Sequence, residues 1–110
     1  MEFASQKQGG FVVVSVTGRM DAVTAPEFEA KAAELMDAGD NSFIVDLGSL
    51  DYISSAGLRS ILSVAKKLKA GQGRIRFCNL GGMVQEVFSV SGFSSMFPIF
   101  DTLEDALAEG

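Results

Sequence analysis

Between Ile44 and Leu68 the chain reads IVDLGSLDYISSAGLRSILSVAKKL, an apolar run, a short polar break and then a helical periodicity. This order specifies a buried strand, a short loop and a helix whose first turn presents two adjacent serines. The first N–H groups of a helix lack intrahelical acceptors and its dipole is positive there, so Ser54 or Ser55 can cap it. A phosphorylated side chain at that end is electrostatically supported for the same reason. Leu58, Ile61, Leu62, Ala65 and Leu68 recur at helical spacing, and Arg59, Ser60, Ser63, Lys66, Lys67 and Lys69 fall on the other side.

The flanking segments place this unit in a larger sheet. Phe11 to Thr17 is rich in β-branched residues and bounded by glycines, which predicts a central strand, with a weaker edge strand around Glu2 to Gln6 and a hairpin through Gly9-Gly10. Thr24-Ala-Pro-Glu27 carries a capping box and an early proline, predicting a helix to about Ala38 that Gly39 ends. Phe43 to Leu47 is the next strand. The serine-headed helix extends to about Ala70, where Gly71-Gln-Gly73 stops it before a strand at Arg74 to Cys78, a crossover between parallel neighbours. Gly81-Gly82 opens a third helix with Val84, Val87 and Phe88 inward and Gly92 ending it. A short strand at Pro98 to Phe100 precedes a last helix started by Asp101-Thr-Leu-Glu104, with Leu103, Ala106 and Leu107 on its packed side. The expectation is a single α/β domain over residues 1–110, a mixed sheet of about four to five strands with about four helices packed on it.

Composition narrows the function. At 110 residues the chain is the size of one domain. It has no apolar run near the ~20 residues of a membrane helix. No secretory signal is recognisable, and Cys78 alone makes no internal disulfide, so cytoplasmic residence is expected. Cys78, in the apolar run Ile75-Arg76-Phe77-Cys78, reads as a small buried hydrophobe. A formal charge of −5 argues against a nucleic-acid partner. The cluster Lys66, Lys67, Lys69 reads as a solvated face near a helix C-terminus. The absence of histidine removes Ser-His triads and imidazole zinc sites, and no glycine pattern has the spacing of a phosphate-binding fingerprint. No catalytic residue, cofactor or metal ligand is assigned, and the chain is expected not to be an enzyme.

Three polar positions are expected near the start of the serine-headed helix: Asp21, Asp46 and Ser55. Functional groups of open parallel sheets gather outside the carboxyl ends of strands, where Asp46 and its loop are placed. Each aspartate equally suits a structural role, accepting loop N–H bonds.

The order Asp46-Leu47, Leu50, Tyr52-Ile53, Ser54-Ser55-Ala56-Gly57-Leu58 resembles the signature of the STAS domain, the fold of the bacterial anti-sigma factor antagonists. There a strand ending in Asp-Leu leads to Asp-Ser-Ser/Thr-Gly-Leu, whose first serine is phosphorylated. Gly18-Arg19-Met20-Asp21-Ala22-Val23-Thr24-Ala25 is similar to the family's Gly-x-x-Asp-x-x-Thr-Ala segment, and Val90-Ser91-Gly92-Phe93 to its Ser-Gly-Leu turn. Here Ser54 replaces the usual Asp, and Ala56 the following Ser or Thr. The resemblance implies Ser55 as phosphoacceptor, with Ser54 second. It implies Asp21, Thr24, Asp46, Ser54, Ala56, Gly57 and Arg59 as the partner-binding, phosphosite-adjacent set. It further implies an anti-sigma factor serine kinase as binding partner, released when the serine is phosphorylated, and a serine phosphatase that resets the switch. The alternatives are a STAS module of a stressosome-like or other partner-switching system, a small subunit of a lipid-transport complex, or a nucleotide-binding sensor.

Overall fold

The computed structural model describes residues 1–108. One five-stranded sheet runs in the order β1-β2-β3-β4-β5, formed by Glu2–Gln8, Phe11–Met20, Ser42–Ile53, Arg74–Cys78 and Ile99–Phe100. β1 pairs antiparallel with β2, and all later pairs are parallel. Helices α1 (Ala25–Asp37), α2 (Ser55–Ala70), α3 (Gly82–Val90), α4 (Phe93–Met96) and α5 (Leu103–Ala108) connect or follow the strands. The mixed sheet matches expectation, and the one-turn α4 after Gly92 is additional. Gly92, at φ +86°, ends α3 in the left-handed conformation that glycine adopts without steric cost.

Alternation along the strands divides the core in two. Val12, Val14, Val45, Leu47 and Phe77 join residues of α1, α2 and α3 in the main cluster. Phe11, Val13, Ile44 and Cys78 point to the other face, where Ala106 of α5 covers them. Around Phe77, the rings of Phe88, Phe93 and Phe97 pack edge-on at centroid separations of 5.3–5.4 Å.

β2 and β3 are both longer than the sequence predicts. They continue pairing through Thr17–Ser49, Gly18–Leu50, Arg19–Tyr52 and Met20–Ile53, across register shifts between Ser15 and Thr17 and between Gly18 and Arg19. The segment Gly48–Ile53, expected as a loop, is therefore strand: bulges absorb the irregular sequence while the ladder resumes. Two caps also differ. The Thr24 side chain makes no cap bond to α1, because it is engaged with Arg19 and Asp21. The last helix is capped by Thr102, whose Oγ1 accepts the Asp105 N–H at 3.1 Å, one residue later than predicted.

Ser60, placed on the polar side of α2 by the sequence reading, is buried. The buried stripe of α2 is Gly57, Ser60, Ile61, Val64 and Leu68, while Leu58, Leu62 and Ala65 are only partly covered. The helix is thus rotated by about one position from the expected face. Ser60 is satisfied by two acceptors across the α1–α2 interface, Glu29 Oε2 at 2.8 Å and the Ala25 carbonyl at 3.2 Å.

Candidate functional site

The start of α2 is built against the end of β2. The Ser54 N–H donates to the Met20 carbonyl at 2.9 Å, continuing the β2–β3 ladder by one bond beyond Ile53. Ser54 then turns the chain with extended dihedrals, and its Oγ accepts the Gly57 N–H at 3.3 Å. Ser54 is the cap, the choice the sequence left open. Ser55 follows as the first helical residue, exposed, and its hydroxyl takes part in none of the hydrogen bonds found among the described residues. The two serines thus divide the work: one holds the helix end, and the other stands in solvent beside it.

Gly57 explains how the helix comes so close. A Cβ there would stand 2.9 Å from the Met20 carbonyl oxygen and 2.7 Å from Ile53 Cγ1, below any tolerable contact. Ala56 is partly covered between these positions. Arg59 is exposed, four residues after Ser55 and therefore on the same helix face.

Asp21 lies in the turn between Met20 and Ala25, next to that contact. Its Oδ1 accepts the backbone N–H groups of Val23 at 3.0 Å and Thr24 at 3.1 Å, with the Thr24 hydroxyl at 3.1 Å. Thr24 Oγ1 accepts the Asp21 N–H at 2.9 Å and donates to the Arg19 carbonyl at 2.7 Å, so the turn is closed from both sides. The Thr24 N–H holds the Asp21 carboxyl below its ordinary pKa of 3.8, against a smaller opposing effect of burial; the Thr24 hydroxyl, the Val23 N–H and Arg19 act in the same lowering direction. Arg19 Nε is 4.0 Å from Asp21 Oδ2, and the guanidinium lies 4.3 Å above the Tyr52 ring. Asp21 and Thr24 thus shape the turn that receives α2.

Asp46 does not join them. It pairs with Ser15 and Cys78 within the sheet, and Leu47–Ile53 separates it from the serines by on the order of 20 Å of strand. Its side chain shares the face of Ile44, away from α1 and α2, where Oδ1 accepts the Gly48 N–H at 2.9 Å and Asn79 Nδ2–H at 3.2 Å. The expectation that it borders the phosphosite is corrected, because β3 continues well beyond it.

The sequence reading missed Ser60 as a tie between helices. Its signal was present: Gly57, Ser60, Ile61, Val64 and Leu68 also recur at helical spacing. Among the described residues, no group of acidic, cysteine or histidine side chains is arranged to hold a metal, and no helix is long and apolar enough to cross a membrane.

The family model of the STAS domain matches residues 2–106, and the chain belongs to that family. It is 42% identical over 108 residues to BtrV, a candidate anti-sigma factor antagonist of Bordetella bronchiseptica, covering 98% of this chain and 93% of that protein. The crystal structure of an anti-sigma factor antagonist from Mycobacterium paratuberculosis superposes with a TM-score of 0.87 at 27% identity, covering 98% of this chain and 92% of the other. SpoIIAA, a Bacillus cell fate determinant solved in its phosphorylated form, shares the fold with a TM-score of 0.74 at 22% identity over 98% of both chains.

Proposed function

We propose that this chain is an anti-sigma factor antagonist: it binds an anti-sigma factor that is also a serine kinase, frees the sigma factor, and is switched off by phosphorylation of Ser55. The observation that carries the reading is the division between the serines. Ser54 supplies the cap bond, so Ser55 is exposed at the anion-favouring end of α2 with its hydroxyl uncommitted. The likeness to BtrV supports the partner class.

The physical logic is local. Phosphorylation adds about −1.5 to −2 charge and three acceptor oxygens. In the free domain that charge sits at a helix N-terminus, one turn from Arg59, and is tolerated. Within a desolvated interface it is costly, and each ~1.4 kcal/mol lost weakens binding tenfold. No refolding is required. A serine phosphatase restores the binding form, and the chain acts as a cytoplasmic protein-binding module rather than an enzyme.

The test combines mass spectrometry with titration against the cognate anti-sigma factor. One phosphate is expected, at Ser55; Ser55→Ala retains tight binding, while Ser55→Glu and the phosphorylated protein bind more weakly with unchanged circular dichroism. Phosphate at Ser54 or Ser63, or phosphorylated protein binding as tightly as Ser55→Ala, defeats the reading.

A further inference from the structure

Two apolar grooves lie along the partly covered stripe of α2, and their charges differ. The groove at the N-terminal half is lined by Leu58, Met83, Val87 and Val90, and its only charged residue is Glu86. The groove at the C-terminal half, about 440 Å³, has a floor of Leu62, Ala65, Ile75 and Phe97. Among the described residues, no acidic residue lines it. Lys66 and Lys69 form its rim, both exposed and in no ion pair among the described residues. Arg74 lines the same groove but stacks its guanidinium 4.3 Å above Phe11. Met96 overhangs the groove and remains 55% exposed, because the single turn of α4 buries Phe93 and turns Met96 outward. In a chain with fourteen acidic and nine basic residues, this groove reverses the overall sign.

We propose that the distal groove docks an acidic amphipathic helix of a protein partner, on a surface separate from the serine switch. Apolar residues at positions i, i+4 and i+7 of that helix would rest on Leu62, Ala65, Phe97 and the adaptable Met96 thioether, and its flanking carboxylates would meet Lys66 and Lys69. The groove is open to solvent, which suits a helix face rather than an enclosed small ligand. Along α2 the groove begins at Leu62, seven positions and about 10.5 Å from Ser55, and ends at Lys69, fourteen positions and about 21 Å away. A helix seated towards the Ala65–Lys69 end leaves Ser55 uncovered, so under this proposal a partner can remain tethered there while the interaction at the serine is exchanged.

The probe is a synthetic helical peptide of about four turns with leucines at i, i+4 and i+7 flanked by glutamates, beside the same peptide with lysines in their place. Each is titrated into the isotope-labelled full chain and followed by NMR. The acidic peptide is expected to shift the amides of Leu62, Lys66, Lys69 and Phe97 but not those of Ser55 or Val90, to weaken with added salt, and to bind Ser55→Glu equally. The paired substitution Lys66→Glu with Lys69→Glu is expected to weaken it about tenfold, and Lys66→Gln with Lys69→Gln by less. Both variants alter exposed side chains, and their spectra verify the fold. Equal binding of the lysine peptide, shifts centred on Leu58 and Val90, or no loss in the charge-reversed variant overturns the proposal. So does the absence of peptide binding where phosphatidylglycerol vesicles perturb the same amides.

Discussion

The Gly57 α-carbon faces the Met20 carbonyl so closely that a Cβ would stand 2.9 Å from the oxygen and 2.7 Å from Ile53 Cγ1. Neither neighbour can yield easily: Met20 O accepts the Ser54 N–H, and Ile53 is buried. Gly57→Ala should therefore destabilise the fold by about 1–3 kcal/mol, read as a lower urea midpoint, although alanine is the better helix former. A midpoint equal to or above that of the parent would show that the helix start can move away from β2 without loss.

The adjacent serines should separate in the same measurement. Ser54→Ala removes the cap and is expected to cost about 0.5–1 kcal/mol, towards the lower end of cap losses because its bond is 3.3 Å long. Ser55→Ala removes an exposed hydroxyl and should change stability by less than about 0.5 kcal/mol. The reverse order would reassign the cap, and with it the free hydroxyl.

Asp21 and Asp46 should behave oppositely towards phosphorylation. Asp21→Asn disturbs the turn packed beside α2 and should slow kinase-dependent phosphate incorporation at Ser55. Asp46→Asn, on the other face of the sheet, should leave that rate unchanged while costing about 1 kcal/mol for its Gly48 and Asn79 contacts. A phosphorylation defect in Asp46→Asn with parental stability would place Asp46 back in the site.

The Asp21 carboxyl should titrate below its ordinary value of 3.8, because the Thr24 N–H above all stabilises its carboxylate form. A pKa lower in the folded than in the unfolded chain contributes stability above the unfolded value, which is lost as pH falls through the folded value. The difference in urea midpoint between the parent and Asp21→Asn is therefore expected at neutral pH and should shrink below about pH 4. Carboxyl carbon NMR provides the pKa directly, and an inflection above 3.8 contradicts the hydrogen-bonded geometry.

Cys78 is fully buried, and burial, with Asp46 and Glu104 nearby, pushes its thiol up to about 12. The thiolate is the reactive form, so the native protein should resist a disulfide reagent at pH 8, with labelling limited by opening of the sheet. Rapid labelling of the native protein would mean that α5 does not seal this face.

The local turn chemistry was legible in the sequence wherever one residue type decides it. Gly9 and Gly10 carry the hairpin at φ +59° and +85°, as their position between two strand patterns implies. The helix start at Ser54-Ser55 was legible because nearby residues define it, while which of the two serines caps it was left open until the Gly57 N–H was seen to meet Ser54. Gly48–Ile53 was not: Gly48, Ser49 and Asp51 favour a loop locally, and only pairing with β2 across two bulges makes the segment strand. That error displaced Asp46, since a strand assumed to stop near Leu47 leaves Asp46 at its end. The rotation of α2 arose differently. Two overlapping stripes both satisfy helical spacing, and contact with α1, which accommodates Ser60 through Glu29, selects the one turned inward.

The outer strand also has a consequence for concentrated protein. β1 is seven residues long and exposed everywhere except Phe3, with Gln6, Lys7 and Gln8 at the end nearest the hairpin and Lys7 held 3.4 Å from Asp40. Its far edge offers backbone groups to any extended chain, but it offers few apolar side chains to hold one there. Polar composition on this edge works against strand-upon-strand growth into fibres, so the open sheet margin is a poor template for a second chain.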